Sequence, residues 1–238
     1  MSAVPSIAAD RKAELRVFSK SVGIRFKSPG LLNLSLTHRS VSNEVSTPNN
    51  ERLEFLGDAI LGAVTASILY QNLGEKNEGE LAKIKSVVVS EDTLAGIALE
   101  LSLDKVLVLG KGEELTGGRT KKAILADALE ALIGALYLDG GFGAAFGFVA
   151  PRVESEITRV LEQGRSSDYK SLLQELCQRR YKNCPRYTLI KRTGPEHDRR
   201  FWIEVSVNGT SYGPCTGRSK KSAEQEAAAL AFAAINGR

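Results

Sequence analysis

Three carboxylates, Glu51, Glu54 and Asp58, recur at three- and four-residue steps within ERLEFLGDAILGAVTASILY, and two more, Asp127 and Glu130, stand three residues apart in ILADALEALIGALYLDGG. At ~100° of helical rotation per residue, the first three fall within an arc of roughly 60°. Glu54 and Asp58 form a like-charge pair one turn apart, which costs a helix roughly 0.3 kcal/mol. From Leu53 to Glu75 there is no Lys or Arg to relieve it. Oxygen donors gathered without counter-charge are the ligands that Mg²⁺ or Mn²⁺ takes. Two such cations ~4 Å apart can activate water and stabilise the leaving oxygen of a phosphodiester without any histidine.

The elements that must position these acids follow from the apolar spacing. Leu53, Leu56, Ile60, Val64 and Ile68 predict a core helix that turns its acids away from that stripe, with Asn49 or Asn50 as its N-cap. Ala123 to Leu138 is a second strong helix, and Asp127 and Glu130 share one of its faces, from which they would meet the first helix's acids across a cleft. Helices are also expected over Ala9–Val22, with Leu15, Val17 and Phe18 inward, over Leu31–Ser40, Leu81–Ser90 and Glu91–Leu101, and from Ala144 to Leu161 after a break at Gly140, Gly141 and Gly143. Gly110 to Lys122 reads as a flexible connector without P-loop spacing, in which Arg119, Lys121 and Lys122 are candidate phosphate contacts. Phe55 falls between the acidic face and the apolar stripe, half exposed in a monomer.

Composition narrows the function classes. The chain has 238 residues, 42% hydrophobic and 25% charged, enough for one or two compact cores. No uninterrupted apolar run reaches ~18 residues, and Met1 to Asp10 lacks a signal peptide's basic start and hydrophobic stretch, so a cytoplasmic protein without membrane contact is expected. Cys177, Cys184 and Cys215 are odd in number and lack CxxC spacing, which supports neither a disulfide framework nor a zinc site. His38 and His197, far apart in sequence, make a histidine-based site improbable, and no motif calls for an organic cofactor. Charge is unevenly spread: residues 1–166 carry 19 Lys and Arg against 21 Asp and Glu, a net of −2, whereas residues 167–238 carry 13 against 7, a net of +6. A basic module beside a slightly acidic one fits polyanion binding in the first and metal chemistry in the second.

Glu162 to Asp168 has the composition of a linker, and an α-β-β-β-α pattern follows it. Tyr169–Arg180 reads as a helix with Leu172, Leu173, Leu176 and Cys177 inward. Arg186–Arg192, Arg200–Val207 and Ser211–Cys215 read as strands, with Asn208-Gly209 as a hairpin turn, and Ser219–Ile235 reads as a helix. Lys220 and Lys221 stand in that helix's first turn, where cations oppose the macrodipole unless a phosphate is bound there. Trp202 lies in a strand and carries no assigned role.

ERLEFLGDA at Glu51–Ala59, with THRS at Thr37–Ser40, the Glu78-Gly79 pair and ILADALEALIGALYLDGG in the same order, resembles the ribonuclease III family. GPEH at Gly194–His197 and GRSKKSAEQEAA at Gly217–Ala228 resemble the double-stranded RNA-binding domain. The resemblance implies an all-α endonuclease domain over 8–162, a linker at 163–167 and a small α+β RNA-binding domain over 168–238. It implies a homodimeric, Mg²⁺-dependent enzyme (Mn²⁺ substituting) that cleaves double-stranded RNA, including ribosomal precursors. Glu54, Asp58, Asp127 and Glu130 would be the metal ligands; Asp58 and Glu130 would also be catalytic, with supporting roles for Glu51 and Glu78. Glu80 matches no catalytic position and is read as surface. Phe55 would anchor in the partner subunit. RNA contacts would come from Ser171, Gln174, Glu175 and Gln178 on the first helix, His197 in the loop, and Lys220 and Lys221. Cys215 departs from the pattern, which has Gly there, and bears on the loop before Lys220. The alternatives are a catalytically silent double-stranded RNA-binding protein of the same fold, and a small-molecule phosphohydrolase that leaves the basic module unexplained.

Overall fold

Capping chemistry and turn residues set the helix starts. Helix α1 (Ala9–Ser21) starts without a side-chain cap, whereas Ser28 Oγ accepts from Leu31 N–H ahead of Pro29 and opens α2 (Pro29–Ser35). A short α3 (Arg39–Ser42) and the long α4 (Glu51–Asn72) follow. Asn77 and Glu80 close a capping box on α5 (Glu78–Val88), so Glu80 is a structural cap, also paired to Lys76 at 3.1 Å. Ser90 caps α6 (Glu91–Glu100), and α7 (Leu103–Val106), α8 (Lys111–Leu115) and a 3₁₀ turn at Gly118–Thr120 lead into α9 (Lys122–Ser167). After α9 come α10 (Tyr169–Tyr181), β1 (Arg186–Thr193), β2 (Arg200–Val207), β3 (Thr210–Gly217) and α11 (Lys220–Asn236). This is a computed structural model, describing residues 7–42, 47–167, 169–195 and 199–236.

The chain divides into two compact units, Met1–Thr158 and Arg159–Arg238. Within the first, the buried face of α4 is Leu53, Gly57, Leu61, Val64, Thr65, Ile68 and Leu69, while Leu56 and Ile60 are only half buried. The face is thus rotated from the expected stripe toward the acids, with the small Gly57 and Thr65 turned inward. Glu54 and Asp58 therefore flank the helix seam instead of facing away from it. On α1, Leu15 and Phe18 are buried but Val17 is exposed, contrary to expectation. The single helix expected over Leu31–Ser40 is split: Thr37 forms a parallel bridge with Val108, and the chain bends there before α3. The expected break after Leu138 occurs at Gly141, whose φ of 77° and ψ of −178° leave the helical region. Helix resumes beyond it and runs to Ser167, so the expected linker at 163–167 is helical. By length and apolarity Glu51–Asn72 and the span 122–162 could each cross a bilayer. Their apolar faces form the core of this unit.

The second unit is a three-stranded antiparallel sheet in the order β1-β2-β3 with α10 and α11. Asn208 and Gly209 both have positive φ, 48° and 84°, as a two-residue hairpin turn requires. Leu173 and Cys177 of α10, Val205 and Val207 of β2 and Ala227, Ala228, Ala231 and Ile235 of α11 make its core. Leu176 packs at its edge, whereas Leu172 is exposed. Cys215 of β3 pairs with Ile203 of β2 and packs against that core, as the expected strand Ser211–Cys215 places it.

Candidate functional site

Two glycines let α4 and α9 touch backbone to backbone. A Cβ built on Gly57 would lie 1.7 Å from the carbonyl oxygen of Glu130, and one on Gly134 would lie 2.2 Å from that of Leu53. Gly57 sits between Glu54 and Asp58, and Gly134 one turn beyond Glu130. The crossing therefore brings the acids of the two helices to one place.

The electrostatics record that convergence. Burial, followed by repulsion from Asp58, Asp127 and Glu54, pushes the Glu130 carboxyl up to about 7. Glu54 is raised by burial and then by Asp127 and Glu51. Asp127 is raised by burial, partly offset by His38 and Arg39. Among the described residues, no three acid, imidazole or thiol side chains close into a ready-made ion cage. The four carboxylates are hard oxygen donors in mutual repulsion, so their chemistry fits a divalent cation.

The THRS block holds the rim of this site. His38 N–H donates to Val108 O at 3.0 Å, and Val108 N–H donates to Leu36 O at 2.8 Å. Buried His38 places Nδ1 2.9 Å from Ser40 Oγ, which accepts from Gly110 N–H at 2.8 Å. Burial pulls the His38 imidazole below its usual range, against the opposing pull of Glu113, Asp127 and Glu51. Arg39 reaches Glu51 at 3.4 Å, and Asn49 Nδ2 donates to Glu51 at 3.1 Å. Sequence reasoning set His38 aside with the histidine-based sites and overlooked the two glycines; the Gly in ERLEFLGD and the second in EALIGALY were the available signals.

Other expected positions are placed as follows. Glu78 is the exposed first residue of α5. That helix returns along α4 after a short connection, and its Lys85 reaches 3.5 Å from where a Cβ on Gly62 would stand. Glu78 is not among the charges that act on Glu54, Asp127 or Glu130 within one chain. Phe55 is 81% exposed, more than the half expected, because it points beyond the acids from the α4 surface. The Gly110–Lys122 segment is ordered, and its three candidate phosphate contacts each have a carboxylate partner: Arg119 with Glu114 at 2.6 Å, Lys121 with Glu113 at 2.5 Å and Lys122 with Asp92 at 2.6 Å. It is therefore a braced element and not a loose connector.

In the second unit, Ser171, Gln174, Glu175 and Gln178 share the exposed side of α10, and Lys220 and Lys221 are the exposed first two residues of α11. Ser219 Oγ accepts from Ser222 N–H at 3.1 Å, satisfying one of that helix's leading donors. His197 lies outside the described residues. Lys170 was not foreseen: its Nζ binds Glu224 at 2.7 Å and lies 4.7 Å from the Tyr187 ring, and its N–H donates to Gln225, tying α10 to α11.

Comparison with known proteins follows the same division. Residues 28–157 match a family model described as ribonuclease-III-like, and residues 169–235 match the double-stranded RNA binding motif. A protein named Ribonuclease 3 from Treponema denticola is 56% identical over 224 residues, covering 93% of this chain and 91% of that protein. One of the same name from Treponema pallidum is 50% identical over 235 residues, covering 97% and 92%. Among solved structures, the ribonuclease III nuclease domain from Campylobacter jejuni, described for flexibility in a region involved in dimer formation, matches with a TM-score of 0.55 and 39% identity, over 58% of this chain and 95% of that one.

Proposed function

The chain belongs to the ribonuclease III family, and from that premise we propose that it is a homodimeric endoribonuclease that uses Mg²⁺ to hydrolyse both strands of RNA duplexes, ribosomal precursors and other structured transcripts among them. The observation that carries this reading is the α4–α9 crossing, where Gly57 and Gly134 gather Glu54, Asp58, Asp127 and Glu130.

Glu54, Asp58, Asp127 and Glu130 would hold the metal. When bound, divalent cations supply an activated water and charge stabilisation at the leaving oxygen. The chain's own groups do the rest. The four carboxylates supply negative charge that the site keeps at some cost, as the raised position of Glu130 shows. Arg39 and Asn49 contact the Glu51 carboxylate at the rim. Exposed polar groups of α10 and the paired lysines of α11 suit the wide minor groove and the phosphates of an A-form helix, which is read by shape. Phe55, almost fully exposed beside Glu54, is the proposed anchor in the partner protomer. The proposed place of action is the cytoplasm.

The silent duplex-binding alternative is separated from this reading by Glu130→Gln, which keeps shape but removes an anionic ligand. Duplex binding, measured by mobility shift in Ca²⁺, should persist, and product formation in Mg²⁺ should collapse by ~10²-fold or more. Cleavage near the wild-type rate would remove Glu130 from the metal site; wild-type protein that binds duplex but never cuts it would favour the silent alternative.

A further inference from the structure

A cleft of about 760 Å³ lies in the first unit, formed by one face of α1 and the loop that follows it. Five cations line it, Lys12, Arg16, Lys20, Arg25 and Lys27, and no acid does. On α1, Lys12, Arg16 and Lys20 stand at successive i, i+4 positions, and none has an acid three or four residues away. Like charges at this spacing disfavour the helix. Among the described residues none of the five is held in an ion pair. The basic face repeats, with opposite sign, the pattern of the four site carboxylates: among the described residues, like charges are kept together with no counter-charge of the chain in an ion pair, and a bound polyanion would relieve them.

The cleft is also built, because its loop is clamped from behind. Asp139 accepts from the N–H groups of Lys27 at 2.7 Å and Ser28 at 2.9 Å, so its carboxylate serves the loop backbone. Gly23, with φ of 73°, turns the chain out of α1. Phe26 lines the cleft and packs with Leu53 and Ala131, each one residue from a site carboxylate, Glu54 and Glu130. One core cluster therefore connects the basic cleft with the helices that carry the acids.

We propose that this cleft is a phosphate-chain site that grips the backbone of the RNA substrate beyond the segment held by the second unit, a proposal that rests on the duplex-cleaving reading above. A row of cations at one-turn spacing presents successive charges along a groove, which suits a polyphosphate backbone and offers no base-reading geometry. Binding there is expected to be independent of sequence and strongly dependent on salt.

The test uses full-length protein in Ca²⁺ with duplexes of ~16 base pairs, about the span of one RNA-binding domain, and of ~40 base pairs. Two neutralised variants are compared with wild type: Lys12→Gln/Arg16→Gln/Lys20→Gln, in which Gln preserves helix propensity, and Arg25→Gln/Lys27→Gln in the loop. Should one variant misfold by circular dichroism, the other decides. The expected result on the long duplex is an affinity about tenfold weaker at low salt and a salt slope shallower by about 2, with little change on the short one. Unchanged affinity and slope on the long duplex would overturn the proposal. A parallel arm adds inorganic tripolyphosphate: if it stabilises wild type but not the variants while their RNA affinity is unchanged, the cleft takes a small polyanion and the RNA assignment falls. Wild-type protein that binds neither duplex would overturn the duplex-cleaving reading itself, a result distinct from failure of the variants alone.

Discussion

Glu130 is the residue whose environment departs furthest from what a surface helix would offer, and the departure has a measurable sign. Its carboxyl is raised from 4.5 to about 7, first by burial and then by three neighbouring acids. A raised acid is penalised only when charged. In the metal-free protein the penalty is therefore absent below pH ~4.5, grows as the pH rises, and is complete above about 7. Glu130→Gln should raise the melting temperature in EDTA at pH 8 and leave it nearly unchanged at pH 5, where the native carboxyl is already neutral. Because the group is only partly buried, solvent screening reduces the expected gain to about 1 kcal/mol, or ~2–4 °C for a chain of this size. Mg²⁺ at pH 8 should then stabilise wild type more than the variant, since a ligand that binds only the folded state adds its binding free energy. A loss of stability at pH 8, or the same shift at both pH values, would show that Glu130 is not strained by its neighbours.

At the scale of elements, the crossing of α4 and α9 decides whether the acids meet. With a Cβ on Gly57 only 1.7 Å from Glu130 O, Gly57→Ala must push the helices apart. The expected cost is about 3 kcal/mol, read as a lower melting temperature, and cleavage should fall further than stability explains because both pairs of carboxylates separate. Near-normal stability and activity would mean the helices are not in contact there. This is also where sequence reasoning met its limit. Periodicity located both helices and every acid, since apolar spacing and like-charge pairs are local properties. It assigned Leu56 and Ile60 to the core, because hydropathy cannot tell that a glycine will be chosen as the contact surface. The braced Gly110–Lys122 segment was read as a loose connector for a similar reason: its order comes from Arg119, whose guanidinium donates to Asp104 O and Leu107 O, carbonyls distant in sequence. In the second unit, where hairpin turn and alternation are local, sheet and helices were legible nearly to the residue, and the Lys170 tie between its two helices was not.

For the whole molecule, the proposed division of labour makes assembly and grip separable. Phe55 is 81% exposed beside the acids of α4, and if it is the dimer anchor, Phe55→Ala should weaken self-association by ~2 kcal/mol or more. Sedimentation at micromolar protein reads this directly; an unchanged dimer, or a monomeric wild type, would refute it. Removing residues 167–238 takes away a net charge of +6 and the exposed lysines of α11, and leaves the carboxylate crossing intact. Duplex affinity at physiological salt should then drop by ~10²-fold or more, because counterion release scales with the number of phosphates neutralised. The salt slope should become shallower without reaching zero, since the five cations of the α1 cleft remain on the truncated protein. Cleavage should survive at low ionic strength, where the remaining electrostatic attraction is least screened. Full affinity of the truncated chain at physiological salt would place the grip in the first unit alone, and loss of cleavage at every salt concentration would mean that the second unit contributes to the chemistry as well as to binding.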